Sequence, residues 1–516
     1  MSEETTEDGT ADSLSTIAGG AGLIVGGRIT KLLFGFLSQL VMARLLGVDA
    51  YGSVVLVNIT VGIVVLFVVL GLPGGLQRKI PYYEDDPEKA RGVVKASGQI
   101  VVVMSGIVAG SLFLAAPWIS AAVFDDSDLT LLLRIAALGL PFTALKSLSV
   151  AAAKASRSAV PEVIVNHILR PVTGLVFISA LIVAGYEAPG AVAGKVIATV
   201  VVTGAALYLA RRTLRFSVRG PTTRMHTEVL QFGLPLMLSA GMNILVFQTD
   251  TVLIGMFLES AAAGVYNVAF QFRSMGMFFF FSFAYLLPPV LARLEKGGKH
   301  RDALRTYQIT SKWMVITTFP IVLGFVLFPE IIIGRIFGSG YVGGATPLRV
   351  LMLPVLVTAL LGANGRALVA LGHNKVNMYV NTGIGLGNLL LNLTLIPRYG
   401  IVGAAAATAT ALVTRDVAFA LFLYRREGIF AITRTTVKTV VVSSLLAAVG
   451  YLLFVQFVTV SFLSALAWGI AFLAVYAPAL VVIGGVESED EEMVSLFEQR
   501  VGVDLTAVRS VVAKLQ

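Results

Sequence analysis

The sequence contains no cysteine and little charge. The absence of cysteine among its 516 residues excludes disulfides, iron–sulfur clusters and thiolate zinc sites. The four histidines lie far apart in sequence, so neither a metal site nor a metal cofactor is predicted. Charged residues make up 13% of the chain, hydrophobic residues 56%, and the mean hydropathy is +0.85. A water-soluble globular protein of this length does not sustain such a composition, so lipid is expected to surround most of the chain.

The N-terminal segment lacks the marks of a signal peptide. Residues 1–13 are acidic and have neither a basic start nor a cleavage site, which predicts a disordered cytoplasmic tail. Long apolar stretches then recur from Leu14 to Gly485. A bilayer core about 30 Å thick needs roughly 20 apolar residues per helical crossing. The sequence therefore predicts an all-α, polytopic membrane protein with about 14 transmembrane helices. The predicted crossings are 18–46, 51–72, 96–121, 129–153, 162–184, 190–210, 229–258, 264–290, 310–333, 345–371, 376–396, 401–424, 436–456 and 461–485.

Basic residues are distributed unevenly between the predicted loops. One set of alternate loops holds nearly all of the loop Lys and Arg, whereas the other set holds only Arg335 and Arg398. Short loops rich in Lys and Arg stay in the cytoplasm, so the N- and C-termini are both predicted to be cytoplasmic in a multi-pass protein of the cell membrane. The same rule accounts for the net charge of +9, and nucleic acid is not expected as a partner.

Two stretches of the sequence repeat after about 213 residues, a spacing long enough to signal two tandem bundles. Residues 43–57 resemble 255–269, and residues 186–200 resemble 399–413. A repeat that spans an even number of crossings predicts two like-oriented six-helix bundles facing a central cleft, plus two extra C-terminal helices. The predicted domains are a tail at 1–13, an N-terminal bundle at 14–212, a C-terminal bundle at 213–426, an extra helix pair at 427–485 and a cytoplasmic amphipathic tail at 486–516.

Several basic residues lie deep inside predicted crossings of the first half. A charge at mid-bilayer costs on the order of 2.5–3.5 kcal/mol, so such residues normally line a wet cavity or pair with one another. Arg28 and Lys31 lie three positions apart in the first helix, Lys146 lies in the fourth and Arg170 in the fifth. These four residues are predicted to line a cationic cavity that binds a phosphate or pyrophosphate. The alternative is that they bond to carbonyls at helix breaks or snorkel to the interface, as expected for Lys195.

Acidic residues support weaker hypotheses. Asp250 and Arg273 lie at similar distances from the turn near Ser260, so they are predicted to form a structural pair, with ion coupling as the alternative. Asp126 and Asp128 form a DxD motif in a predicted outer loop, where a solvated acidic turn is favoured over the metal site of a membrane glycosyltransferase.

One segment carries a family resemblance. Residues 247–272, FQTDTVLIGMFLESAAAGVYNVAFQF, and their first-half counterpart at 37–57 resemble the multidrug, oligosaccharidyl-lipid and polysaccharide exporter superfamily, in its polysaccharide transporter branch. This resemblance covers essentially the whole chain. It implies an alternating-access flippase that moves a polyprenyl-linked oligosaccharide from the cytoplasmic to the outer leaflet for polysaccharide or glycoprotein assembly. It also implies that basic residues of the first helix face the central cavity.

The resemblance implies binding partners, and two other functions are alternatives to it. The expected partners are a lipid-linked oligosaccharide on a polyprenyl or dolichol phosphate carrier and the membrane lipids, and a monomer without catalytic residues is expected. A drug exporter of the same superfamily would bind organic cations through buried acids, but the first helix has no acid between Leu14 and Leu46. A membrane glycosyltransferase would need larger outer segments than the predicted ones.

Overall fold

The protein is helical throughout the part of the chain that the structure describes. The computed structural model describes residues 4–156, 160–214 and 220–482, and no strand occurs within these ranges. The predicted fold class, an all-α polytopic membrane protein, is confirmed. The predicted tail at 486–516 lies outside the described residues. The first helix begins at Glu4, and the assignment of residues 1–13 to a tail stays a prediction.

The helices of the first part of the chain are, in order, α1 (Glu4–Val69), α2 (Leu72–Tyr82), α3 (Pro87–Val123), α4 (Leu129–Leu138), α5 (Leu140–Ala155), α6 (Val160–Glu162), α7 (Arg170–Leu181) and α8 (Glu187–Thr213). Two π-helical segments, Val163–Leu169 and Ile182–Tyr186, join α6 to α7 and α7 to α8. These segments make the stretch from Val160 to Thr213 continuous.

The helices of the second part are α9 (His226–Phe247), α10 (Thr249–Phe257), α11 (Ser260–Gly276), α12 (Phe278–Lys296), α13 (His300–Leu327), α14 (Pro329–Ile336), α15 (Ala345–Leu361), α16 (Asn364–Ala370), α17 (Asn374–Glu427), α18 (Arg434–Phe457) and α19 (Phe462–Val482). A short 3₁₀ helix, Ser339–Gly344, leads into α15.

Helix starts follow local chemistry in the sequence. Before α3, the Asp86 carboxylate accepts a hydrogen bond of 3.1 Å from the backbone N–H of Lys89, and Pro87 occupies the first helical position. Before α18, the Thr433 hydroxyl oxygen accepts from the backbone N–H of Thr436 at 3.1 Å. Each cap satisfies a backbone donor that has no partner inside the helix.

Glycines break the longest helices where loops are predicted. Three continuous helical stretches of 54 to 57 residues, about 80 Å at 1.5 Å per residue, are too long for one crossing. Each contains a glycine with positive φ: Gly47 at 78°, Gly185 at 89° and Gly400 at 58°. Glycine adopts this conformation without a Cβ clash, so these positions end one helix and start the next.

Nine helices in the described ranges are long and apolar enough to cross a membrane, and the bent pair formed by α4 and α5 makes a tenth. The predicted count of fourteen stays a prediction. Large apolar side chains lie on the outside of these helices, as Leu114 does with 80% of its surface exposed. Such exposure is stable in lipid, which solvates apolar groups.

The chain forms two compact units. The first comprises the described residues up to Ile244 together with Glu259–Gly264, and the second comprises Leu245–Leu258 and the described residues from Val265 onward. These limits differ from the predicted boundary at residue 212, and the predicted domains stay predictions.

Residues from the two similar stretches 43–57 and 255–269 pack closely against each other in the first unit. A Cβ on Gly52 would lie 1.9 Å from the carbonyl oxygen of Ser260, and a Cβ on Gly264 would lie 3.1 Å from the Cα of Gly52. The carboxylate of Asp126 also accepts hydrogen bonds from the hydroxyls of Ser53, at 3.1 Å, and Ser260, at 2.5 Å. Asp126 therefore ties the second half of α1 to the start of α11, a contact that the predicted solvated turn did not include.

The last helix packs within the second unit through aromatic rings. Trp468, Phe472 and Tyr476 stack one turn apart along α19, with ring centroids 5.3 Å apart in each step. Phe328 packs edge-on to Trp468 at 5.4 Å, and the hydroxyl of Tyr476 donates to the carbonyl of Ile316 at 3.0 Å. These contacts anchor α19 to α13 and α14.

Candidate functional site

A cavity of about 280 Å³ with both apolar and polar lining residues lies within the first unit, between α1, the π-helical segment before α7, α7 itself and α8. Three cations line it, one from each of three helices: Lys31, Arg170 and Lys195. Amide and hydroxyl side chains line it between them, namely Ser38, Gln39, Asn58, Asn166 and Thr199. No Asp or Glu is among the described residues that line the cavity.

The α1 wall of the cavity follows from helical spacing. Lys31, Gly35, Ser38, Gln39 and Met42 recur at intervals of three and four residues, which places them on one face. The Tyr51 hydroxyl donates to the Gln39 amide oxygen at 3.1 Å, which orients that amide. The face carries the Lys31 charge at its N-terminal end and polar groups further along.

Arg170 is positioned by the π-helix that precedes it. Its backbone N–H bonds to the carbonyl of Val165, five residues earlier, instead of four. The next residue is Pro171, which has no N–H and would clash with a carbonyl four positions back in a regular α-helix. The wider π turn relieves this clash, and π-bulges of this kind are frequent at functional sites. Asn166, Arg170 and Gly174 lie four residues apart, and all three line the cavity.

Lys195 enters the cavity from α8. Its ammonium group donates to the amide oxygen of Asn58 on α1. The expectation that Lys195 snorkels from a helix end is wrong in placement, because the residue lies on the cavity wall. From the observed start of α8 at Glu187, eight residues at about 1.5 Å each put Lys195 about 12 Å into the helix, deeper than the predicted start at residue 190 indicated.

The structure brings together part of the predicted set. Lys31 and Arg170 line the cavity together. Lys146 is not among the lining residues; it is 6% exposed, and its charge interacts with those of Arg170 and Lys195. Arg28 interacts electrostatically with Lys31 but is not among the lining residues, and its side chain is exposed. The roles assigned to these four residues stay predictions.

This arrangement of charges favours the binding of an anion in the cavity. Positive charges in a region of low dielectric attract a negative group strongly, and a phosphate oxygen accepts short charge-assisted hydrogen bonds from Lys and Arg. The guanidinium of Arg170 presents a planar pair of donors, whereas Lys31 and Lys195 act as compact charges. Neutral amide and hydroxyl groups supply further hydrogen bonds without cancelling the charge. No group of three or more His, Asp or Glu side chains in the described part of the chain is placed to bind a metal ion.

A second buried polar cluster lies in the second unit around Asp250, which is 2% exposed. Its carboxylate accepts hydrogen bonds from the Tyr266 hydroxyl at 2.6 Å, the Thr251 backbone N–H at 2.8 Å and the Thr408 hydroxyl at 3.3 Å. Arg273 interacts with Asp250 as a nearby charge, while its guanidinium lies 5.2 Å from the Phe270 ring centroid. The two predicted partners thus share a cluster, but among the described residues the direct bonds to Asp250 come from neutral donors.

The neighbouring acid Asp416 was given no partner by the sequence analysis. It is 4% exposed, and its carboxylate accepts hydrogen bonds from Thr358 at 2.5 Å and from the guanidinium of Arg415 at 2.8 and 2.9 Å. The Asn364 amide donates to the Asp416 carbonyl at 3.2 Å. The pairing of Arg415 with Asp416 could not be predicted from their adjacency in sequence, because consecutive helical residues point in different directions.

Fold and site together define a class of protein: a multi-pass helical membrane protein with a cationic cavity. The family model described as polysaccharide biosynthesis protein matches residues 41–345, more than half of the chain. The chain belongs to this family. This match agrees with the polysaccharide transporter branch that the sequence resemblance predicted.

Characterised and solved relatives agree with this assignment. The chain is 27% identical over 176 residues to the probable low-salt glycan biosynthesis flippase Agl15 of Haloferax volcanii, which covers 34% of this chain and 37% of that protein. The alignment spans less than half the length of this curated relative and of a second one, an uncharacterized membrane protein of Methanocaldococcus jannaschii. Among solved structures, the lipid II flippase MurJ in an inward closed conformation has a TM-score of 0.71 at 14% identity, covering 89% of this chain and 97% of that one.

A second solved structure shares the fold with a different cargo. An inward-facing multidrug resistance transporter of the MATE family has a TM-score of 0.66 at 14% identity, covering 77% of this chain and 94% of that one. At such low identity the likeness shows the fold alone. Function must therefore be argued from the residues of the cavity.

Proposed function

We propose that this protein is a flippase that moves a polyprenyl-linked oligosaccharide, joined through a phosphate or pyrophosphate, from the cytoplasmic to the outer leaflet by alternating access. The glycan then serves polysaccharide or glycoprotein assembly. In this proposal the protein is a monomeric carrier of the cell membrane with both termini in the cytoplasm, and it performs no catalysis. The carrier lipid is a polyprenyl or dolichol phosphate.

The observation that carries the proposal is the charge of the cavity. Lys31, Arg170 and Lys195 come from three helices and line one cavity whose described wall contains no carboxylate. A cavity of about 280 Å³ accommodates a phosphate group and a small part of what it joins, but not a whole oligosaccharide. The phosphate is the feature that lipid-linked glycans share, so a site of this kind recognises the linkage.

The rival functions fit the cavity less well. An exporter of organic cations needs negative or aromatic groups around its cargo, whereas the described wall of this cavity is positive. A glycosyltransferase needs a site for a nucleotide or lipid-linked donor outside the membrane, and the predicted outer segments are short. The name of Agl15 supports the flippase proposal, as does the polysaccharide biosynthesis family.

The proposal is tested in cells that lack their own flippase and express this chain. The outward-facing fraction of lipid-linked glycan is measured for the parent and for a Lys31→Glu, Arg170→Glu variant at equal abundance. The variant places negative charge where the phosphate binds, so glycan should accumulate on the cytoplasmic leaflet. Lys375→Glu, an exposed change at the start of α17, serves as the control and should export normally. Export by the double variant at the parental rate would refute the proposal.

A further inference from the structure

Lys195 has a contact that distinguishes it from the other cavity cations. Its ammonium group donates to the amide oxygen of Asn58, which lies on α1 beyond the break at Gly47. An amide oxygen orients an ammonium group but does not neutralise its charge. The nearby charges that act on Lys195 include those of Arg170 and Lys146, which are also positive.

We propose that Lys195 binds the phosphate of the cargo together with Lys31 and Arg170, and that Asn58 is a positioning residue that orients the Lys195 ammonium group. This inference rests on the proposed flippase function and assigns a third binding residue to its cavity. Lys195 approaches from α8, Lys31 from α1 and Arg170 from α7, so the three cations approach a bound anion from different sides.

The described lining of the cavity supplies no counter-ion for the three cations. Outside the lining the charge of Glu162 acts on Lys31, but Glu162 is itself paired with Lys154 at 2.8 Å. Moving a charge out of water costs several kcal/mol unless an opposite charge or good hydrogen bonds offset it. In the described lining only neutral groups face the three cations, so an anion that enters the cavity supplies the missing charge. Lysine has three ammonium donors, so Lys195 keeps its bond to Asn58 and still donates to a phosphate oxygen.

The experiment measures the affinity of the purified full-length protein for farnesyl diphosphate, a short prenyl phosphate, in detergent. Lys195→Gln keeps a donor for Asn58 and removes the charge. It should weaken binding about tenfold, which corresponds to about 1.4 kcal/mol. Lys195→Arg keeps the charge and should retain most of the affinity. Lys375→Gln, an exposed lysine change outside the cavity, is the matched control and should bind as the parent does.

Asn58→Asp provides a second test that does not remove the contact. The carboxylate of this variant still accepts a hydrogen bond from the Lys195 ammonium group and now also forms an ion pair with it. The ion pair neutralises Lys195, which therefore attracts a phosphate less strongly. Binding should fall by at least about tenfold while the thermal unfolding midpoint stays equal or rises. Unchanged affinity would overturn the inference. Because the new carboxylate also repels an anion directly, Asn58→Ala is measured beside it: it should weaken binding in the parent but not in Lys195→Gln, and equal losses in both would overturn the positioning role of Asn58.

The two proposals fail in different ways. Parental affinity in Lys195→Gln, with weakened binding in Arg170→Gln, would overturn the role of Lys195 and leave the flippase proposal standing. Equal binding by the parent, Arg170→Gln and Lys195→Gln would show that the cavity cations do not recognise phosphate, and both proposals would be wrong.

Discussion

At the residue scale, Arg28 and Lys31 show how far a shared helix face predicts a shared site. Two side chains that lie three positions apart in a helix share one face, and the charges of Arg28 and Lys31 do interact. The cavity, however, begins at Lys31 and extends toward Met42, so Arg28 lies one turn outside its lining. Sequence spacing identified the helix face, but it did not show at which residues along that face the neighbouring helices form a cavity.

This placement predicts different effects for the two cations. Lys31→Gln removes a charge on the cavity wall and should weaken farnesyl diphosphate binding by about tenfold. Arg28→Gln removes a more distant charge and should weaken binding by less than about threefold, since an interaction through solvent is screened. Both affinities are measured at the same ionic strength of about 0.15 M, where the Debye length is about 8 Å. Equal losses would mean that Arg28 also contacts the ligand.

Asp250 is predicted to serve stability more than coupling. Its carboxylate accepts hydrogen bonds from Tyr266, Thr251 and Thr408, and the loss of its charge would leave Arg273 in a buried site with less compensation. Removal of one partner from a buried charged pair costs roughly 3–5 kcal/mol in soluble proteins. Asp250→Asn should therefore lower the amount of folded protein more than the transport per folded molecule.

The measurement compares abundance by quantitative fluorescence-detected chromatography with outward-facing glycan per molecule. Tyr266→Phe is the matched variant, because it deletes one hydrogen bond to Asp250 and keeps the carboxylate; its abundance should fall less. Normal abundance of Asp250→Asn with abolished export would instead assign Asp250 to coupling.

At the element scale, helix breaks could be predicted and helix contacts could not. The predicted loops at residues 47–50, 185–189 and 397–400 coincide with positive-φ glycines, because glycine is the residue that ends a helix at little cost. The π-helix before Arg170 was not predicted, although Pro171 marks the position. A proline shows that the regular hydrogen bonding fails there, but not which geometry replaces it.

The packing between α1 and the start of α11 gives a prediction for Gly52. A Cβ at this position would lie 1.9 Å from the Ser260 carbonyl oxygen and 2.5 Å from its carbon, both backbone atoms that cannot rotate away. Gly52→Ala should therefore displace one of the two helices and sharply reduce the yield of folded protein.

The matched control is Gly106→Ala on α3, where a Cβ would meet nothing within 4 Å. Alanine is favoured over glycine inside a helix by up to about 1 kcal/mol, so this variant should be as stable as the parent or slightly more stable. Thermal unfolding in detergent measures both. Equal midpoints for the Gly52→Ala variant and the parent would show that the close approach is not required.

At the scale of the whole molecule, composition determined the solvent and the repeat predicted two bundles. Hydrophobic content of 56% with 13% charge required lipid, and the fold is an all-α membrane fold shared with MurJ. The cavity was predicted only in part, because Lys195, Asn58 and Arg170 meet through contacts between helices far apart in sequence. Periodicity shows which face a residue occupies, but it does not show which other helix that face contacts.

The central claim is that the cavity recognises the phosphate of a prenyl-linked cargo. Its most direct test is the ratio of the affinities of the purified protein for farnesyl diphosphate and for farnesol, which share a chain and differ in the charged group. Two or more charge-assisted hydrogen bonds of roughly 1.5–3 kcal/mol each predict that the diphosphate binds at least about a hundredfold more tightly. They also predict that this preference falls in Arg170→Gln. Equal affinities for the two compounds in the parent protein would contradict the account.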